Sequence, residues 1–510
     1  MRRRRGQARG RVITAIFLVL LTGLSALAGV LAWRTVPAAV DQAADKRVQA
    51  PATSAYELDH EVAAERLGAA IRHQTISRGG GSAGGGAPVE AQAFHDLHDF
   101  LVTTFPAAHQ QLDREAVNEF SLLYRWQGTD QKLTPRLVMG HMDVVPVEHG
   151  SEAEWRYLPF SGLIAEGFIW GRGAIDDKVT VMGLLEAVEY LVSAGFTPQR
   201  TMYFAFGHDE EIGGRNGAAA IASLLAERGA KLDFVVDEGG SIRTGLFEQV
   251  SRPVARVGVA EKGFLSLELV AHGVGGHSSR PSRNNSVGML ARAIDKLERN
   301  IFPSRLQDPI PQLLTALAPQ LPWTERMMLG NLWLFGPVVE NYLSNNPATD
   351  AMIRTTTAPT MLNAGFKENV LPRDARAVVN FRLLPGDRIE DVIAQVTTII
   401  DNPDVTVARY GKSGGNPSAL SSVTGQGYQT LAKSIGQIFP EAVIVPNLVL
   451  GATDSKHFAG LTDNIYRFLP IVLGPSDTGR AHGLNERLAV ADYGRAIRFY
   501  ISLLENAGGS

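Results

Sequence analysis

Between Leu137 and Gly240 the chain alternates short apolar runs with bursts of acids and imidazoles. LVMGHMDVVP (137–146), WGRGAIDDK (170–178), FAFGHDEEIGG (204–214) and VVDEGG (235–240) each pass from buried-type residues into His, Asp or Glu. Runs that are apolar on both faces are the pattern of central parallel strands, and loops at the carboxyl ends of such strands converge on one crevice. Four repeats of strand followed by acid or imidazole therefore predict one site assembled from distant pieces. Helical spacing fills the gaps: Met182, Leu185, Val188 and Leu191 in 179–194, then 218–225 closed by Gly229. Upstream, Leu58, Val62, Leu67 and Ile71 predict a helix over 56–75, and Phe94, Leu97, Leu101 and Phe105 a second one.

The pattern changes after Arg256. Alternation over 264–270 predicts a half-exposed strand, followed by a helix at 286–297, strands at 356–362 and 377–383, a helix at 389–400 and a strand at 405–410. That β-α-β-β-α-β order is the ferredoxin-like unit, with an irregular insertion between about residues 302 and 350. A helix at 428–438, a strand at 443–448, a polar loop at 451–458 and a closing helix at 492–504 return to the first architecture. The expected fold class is α/β, a mostly parallel sheet flanked by helices, interrupted by an α+β ferredoxin-like lid. The boundaries read 55–259 for the first catalytic part, 260–411 for the lid and 412–510 for the second catalytic part.

The first 54 residues stand apart. Six arginines within the first 11 residues precede 22 uncharged ones, Val12 to Trp33. As a helix these span about 33 Å, enough for a bilayer core. Residues 1–35 thus read as a cytoplasmic arginine cluster and transmembrane anchor, 36–54 as a linker, and the rest as extracytoplasmic. A cleaved signal peptide and a secreted product are the alternative. GGGSAGGG at 79–86 reads as a flexible loop, and no phosphate-binding motif accompanies it. A formal net charge of -3, with no basic stripe beyond the first residues, gives no sign of nucleic-acid binding. The absence of cysteine excludes disulfides and thiolate metal ligands.

Imidazole and carboxylate without thiolate suit zinc, with cobalt or manganese as lesser candidates. In HMD, His141 can reach a metal while Asp143 accepts its other ring N–H. Asp176 can bridge two cations about 3.5–4 Å apart, whereas Asp177 serves the chain locally as a helix cap. Glu210 and Glu211 face opposite ways if extended, so one can ligate while the other takes a proton from an activated water. Asp237 and Glu238 offer one further acid. A second imidazole could come from His457 or His482, with His272 and His277 lying in the lid.

Taken together, HMDVVP, GRGAIDDK, GHDEEIGG, DEGG, GGHSSRP, ENVLP, GATDSKHF and AHGLNE resemble the co-catalytic zinc metallopeptidases that include aminoacylase-1, carboxypeptidase S and glutamate carboxypeptidase. The resemblance is nearest to the branch with carboxypeptidase S, Gly-Xaa carboxypeptidase and N-fatty-acyl-amino-acid synthase/hydrolase, and runs from about residue 55 to the C-terminus. It implies two Zn²⁺ held by His141, Asp176, Glu211, Glu238 and His482, with Asp237 the alternative to Glu238. It implies Glu210 as general base, Asp143 as orienter of His141, and lid His277 as oxyanion partner, reaching across from a dimer mate. Asn369, Thr453 and Asp454 are the implied substrate contacts. The expected activity is hydrolysis of the C-terminal peptide bond of small peptides, or of the amide of N-acyl amino acids, by a water activated between two zincs. Synthesis of N-fatty-acyl amino acids and a catalytically silent binding role are the rivals.

Overall fold

The computed structural model describes residues 22, 24–35, 58–78, 90–246, 249–411 and 414–509. The expected linker at 36–54, the Gly-rich loop at 79–86 and most of the expected anchor lie outside them. Residues 24–35 are helical, and among the described residues no helix is long and apolar enough to cross a membrane.

Eight strands form the main sheet: β1 Asp113–Val117, β2 Ser121–Trp126, β3 Arg136–His141, β4 Met202–Gly207, β5 Val235–Arg243, β6 Val254–Glu261, β13 Val443–Val449 and β14 Ile465–Leu473, in the order β1-β2-β4-β3-β5-β14-β6-β13. The expectation of a mostly parallel sheet needs correction, because the sheet is mixed. β4, β3, β5 and β14 run parallel, whereas β1, β2 and the β14–β6 junction are antiparallel. The parallel centre accounts for the doubly apolar runs. On β3 and β4, Val138, Phe204 and Phe206 enter one core with helices α1 His60–Arg72, α3 Lys178–Ser193 and α12 Val490–Gly508. Leu137, Met139 and Ala205 enter another with α4 Ala218–Glu227. Each buried aliphatic or aromatic side chain contributes about 1.5–3 kcal/mol, so alternate residues bind two layers at once.

The lid sheet contains β9 Thr356–Ala364, β11 Asp374–Leu383, β7 Gly263–His272 and β12 Val405–Arg409, in that spatial order and all antiparallel. Helices α5 Ser286–Arg299 and α10 Ile389–Ile400 pack on it through Leu290, Leu297, Val392 and Val396. The chain passes from the main sheet to the lid at Lys262, between β6 and β7.

The insertion is helical rather than irregular: α6 Ile310–Leu317, α7 Trp323–Gly330, α8 Leu332–Ser344 and α9 Pro347–Ile353. Prolines break its periodicity into pieces of 7 to 13 residues, with Pro311 and Pro347 in first turns and Pro337 inside α8. A 3.6-residue pattern has little room to show in such lengths. The insertion folds back on the catalytic sheet, where Ile310, Leu313 and Leu314 pack with Val443, Val445 and Leu448 and cover its edge strand β13.

Candidate metal centre

The carboxyl ends of β3 and β4 meet the first residues of β5. His141 is in register with Gly207, and Leu137 and Val138 with Val235 and Val236. The next residues of each strand carry the polar cluster. Gly240 continues β5 because a Cβ there would stand 2.2 Å from the Arg256 carbonyl oxygen and 2.5 Å from that of Arg467.

Asp176 lies at the centre. His141 Nε2 is 3.0 Å from Asp176 Oδ1, and His482 Nε2 is 3.1 Å from Asp176 Oδ2 and 3.0 Å from Glu211 Oε2. One carboxylate thus offers a separate oxygen to each of two imidazoles. Ligand atoms of His141, Asp176 and Glu211 lie within 4.8 Å of one another. The other ring nitrogen of His141, Nδ1, is 3.0 Å from the Asp143 carbonyl and 3.3 Å from Asp143 Oδ1. The buried Asp143 carboxylate also accepts N–H from Glu210 (3.1 Å) and Glu211 (3.2 Å) and the Ser77 hydroxyl, joining the His141 strand to the acidic turn. That turn is a 3-10 turn at 210–212, not the extended chain expected from sequence.

Asp177 sits at the first position before α3 but makes no side-chain cap. Its carboxylate instead accepts the Thr180 hydroxyl (2.5 Å) and the His141 N–H (3.4 Å). Of the pair in DEGG, Asp237 is turned towards the 453–455 loop, its Oδ2 accepting the Ser455 N–H at 2.8 Å. Glu238 has Asp176, Asp177, His141 and Glu210 as its charged neighbours.

Thr453 is buried, its N–H bonded to Glu261 Oε1 (2.8 Å) and its hydroxyl to Ser455 (2.6 Å). Asp454 is also buried, and neither carboxylate oxygen has a hydrogen-bond partner. Gly214 accommodates it, since a Cβ there would be 1.8 Å from Asp454 Oδ1. His457 bonds the Gly213 carbonyl (3.1 Å) and is not part of the Asp176 cluster. His277 and Asn369 lie exposed in the lid, on or beside a two-stranded ribbon pairing Gly276–His277 with Val370–Leu371. Among the described residues neither bonds the metal-centre side chains. His277 Nδ1 instead accepts from the Ser279 N–H (3.1 Å) and hydroxyl (2.8 Å).

Two features of the site have no motif of their own. Glu486, fully buried, accepts N–H from Gly173, Ile175 and Asp176 (2.8–3.2 Å) on Oε1, and the Arg172 guanidinium on Oε2 (2.5 Å). It stands four residues after His482, in AHGLNE, so it joins the His482 loop to the Asp176 loop. Beside the acidic turn a cavity of about 880 Å³ is bordered by Gly213, Phe264, Arg382, Lys456 and His457. An acid inside a motif and lone cations 74 residues apart carry no spacing signal of their own.

The electrostatics fit a cation pair. Burial first, then neighbouring acids, raise the carboxyl pKa values of Glu210, Glu238 and Asp454 well above the ordinary range. Hydrogen bonds to Asp176 and Glu211 raise His482 to about 10. Burial opposes the charge of His141, but Asp143 and Asp176 more than offset it and its pKa stands well above the usual value. Glu211 Oε1 is buried without a partner. Closely packed acids with orphaned oxygens around two imidazoles are costly unless positive charge is supplied. The donors that hold protons so tightly are those a divalent cation takes up as the protons leave.

An α/β sheet with an inserted lid, and a histidine–carboxylate cluster centred on Asp176, are those of a metal-dependent hydrolase. Residues 137–506 match the model of peptidase family M20/M25/M40, and the chain belongs to that family. It is 41% identical to a probable carboxypeptidase S-like protein of Dictyostelium discoideum over 87% of this chain and 84% of that one. It is 36% identical to an N-fatty-acyl-amino acid synthase/hydrolase of Xenopus tropicalis over 99% and 96%. The fold matches an M20 family metallo-carboxypeptidase from Sulfolobus solfataricus with a TM-score of 0.62, at 20% identity over 88% of this chain and all of that one.

Proposed function

We propose that this hydrolase releases an amino acid bearing a free carboxylate, from the C-terminus of a small peptide or from an N-acyl amino acid, and that it uses two zinc ions. The observation that carries the reading is the Asp176 carboxylate, whose two oxygens each face a different imidazole. His482 and Glu211 would complete one site and His141 and Glu238 the other; cobalt or manganese could occupy the same donors. A cation pair bound there would polarise the scissile carbonyl and acidify a water.

The remaining chemistry belongs to the chain. Glu210, half-buried with its carboxyl pKa raised, takes the proton of the attacking water on its carboxylate and passes it to the leaving nitrogen. Asp143 holds the His141 ring through Nδ1 and, through two backbone N–H groups, the turn bearing Glu210 and Glu211. His277 and Asn369 come from the lid to the carbonyl oxygen and substrate carboxylate. A lid homodimer would bring His277 from the mate, and β9, an edge strand exposing Met361 and Leu362, offers the pairing surface. Arg382 and Lys456, on the border of the cavity, suit the anionic end of the substrate. Residues 12–33 would anchor the enzyme with its site outside the cytoplasm.

The names of the relatives, carboxypeptidase S-like and N-fatty-acyl-amino acid synthase/hydrolase, give the two substrate classes to compare. Dipeptides and N-acyl amino acids are assayed with zinc, cobalt and manganese, for the wild type and Glu210→Gln. The variant should bind two equivalents of metal and lose at least about 10²-fold in kcat. Turnover retained by Glu210→Gln, or no stoichiometric metal in the wild type, overturns the reading.

A further inference from the structure

The insertion hairpin has two faces of opposite burial and the same chemistry. On α8, Gly336, Val339 and Leu343 are buried, the last two in the apolar cluster that α6 shares with β13, whereas Trp333 (56% exposed), Leu334, Val338 (54%) and Tyr342 (69%) are exposed. Trp323 on α7 is 61% exposed. An outer helix face of a globular protein is ordinarily polar. Here, from Ile310 to Val339, the only charged residues are Glu325 and Arg326. Exposed apolar side chains gathered on one helix in this way mark an interaction site.

A second observation says what covers it. The N-terminal helix ends on this hairpin: the Leu31 carbonyl accepts from Asn331 Nδ2 (3.4 Å), the Arg34 guanidinium is 6.0 Å from the Trp333 ring, and Thr35 is buried. Leu24 and Trp33 of that helix are themselves 62% and 72% exposed. The helix 24–35 therefore ends beside the start of α8, where Arg34 stands near the Trp333 ring, and Trp33 and Tyr342 are further exposed aromatics on the two helices. Aromatic rings with a neighbouring cation are the composition of a membrane–water interface.

We propose that the outer face of α7 and α8 is a lipid-contact surface, lying in the headgroup layer of the bilayer that the N-terminal segment enters. The proposal rests on the anchor reading and goes beyond it, because it assigns a second element to the membrane and fixes which side of the catalytic domain faces lipid. The insertion packs on β13, whose seven residues span about 23 Å and lead into the 451–458 loop. The surface thus keeps the cleft within reach of amphiphilic substrates held in the same layer.

The chain has no cysteine, so one introduced thiol is unique. Full-length Leu334→Cys, Val338→Cys, Leu24→Cys and Leu158→Cys are nitroxide-labelled and reconstituted into phosphatidylethanolamine/phosphatidylglycerol vesicles. Relaxation by oxygen and by a water-soluble nickel chelate is then compared. Leu158, 71% exposed on the catalytic domain, is the aqueous control. Leu334 and Val338 should favour oxygen over nickel by several-fold relative to Leu158. Nickel access equal to the control overturns the proposal, and so does low access to both reagents, which reports a protein partner or second copy. Leu24 separates the two readings: lipid-like at Leu24 but aqueous at Val338 leaves the anchor and removes the surface, and the reverse does the opposite. Should a label at Val338 lower hydrolysis of an N-acetyl amino acid, Tyr342→Cys replaces it.

Discussion

Glu486 touches no predicted ligand side chain, yet the arrangement of the centre depends on it. In Glu486→Gln the amide oxygen can keep the three N–H bonds of Gly173, Ile175 and Asp176, but the amide nitrogen then meets the Arg172 donor, now without its carboxylate. Removing one partner of a buried charge pair costs about 3–5 kcal/mol. Part of that relaxes by displacing the 172–176 loop, which moves Asp176 relative to His482. Supporting residues of metal ligands are typically worth 10–100-fold in affinity, or about 1.4–2.7 kcal/mol, roughly half the cost of the broken pair. Zinc affinity is measured by competition with a fluorescent chelator, alongside the denaturant midpoint of the metal-free protein. Affinity should fall 10–100-fold for Glu486→Gln and further for Glu486→Ala, which also orphans three buried N–H groups. Affinity unchanged in both variants, with only the midpoint lowered, would refute the positioning argument and leave Glu486 a purely structural acid.

Two further outcomes test the surroundings. Asp143→Ala leaves His141 Nδ1 its bond to the residue-143 carbonyl but removes the carboxylate 3.3 Å from that nitrogen and frees the 210–211 turn, so metal affinity should drop at least about tenfold and kcat with it; affinity measured by the same competition at wild-type level removes the role assigned to the Asp143 carboxylate. His98 is buried, bonds the Phe120 carbonyl (3.0 Å), and burial lowers its pKa to about 4. The folded state holds it neutral while the unfolded chain takes a proton below about 6.5. Stability should therefore fall as pH drops from 6.5 to 4, by about 3 kcal/mol from this residue. Denaturant midpoints of His98→Gln should lose that slope, and an unchanged slope would locate the acid sensitivity elsewhere.

Much of the centre was legible because its donors stand in short polar motifs next to apolar runs. Only His141 ends its strand; Glu211 lies in the turn after β4, Asp176 in the turn before α3, and His482 in the loop after β14. The strand Ile465–Leu473 and the hairpin at 113–126 were not foreseen, although the first pairs directly with β5. The insertion was misread because its helices are short and broken by proline. The pair Asp237 and Glu238 shows the limit well. Adjacent acids on a strand are equivalent in sequence, and only the Ser455 N–H that engages Asp237 separates them.

Local chemistry along the chain determined which donors exist, that they stand next to apolar runs, and that a ferredoxin-like unit interrupts them. Three-dimensional packing alone decided that one Asp176 carboxylate stands between two imidazoles 341 positions apart, that Glu486 pins their loops together, and that the insertion lies on β13. The reason is range. Periodicity and motif spacing report on neighbours a few residues away, whereas these contacts close over hundreds of residues and are selected by burial of charge in a site no local pattern describes.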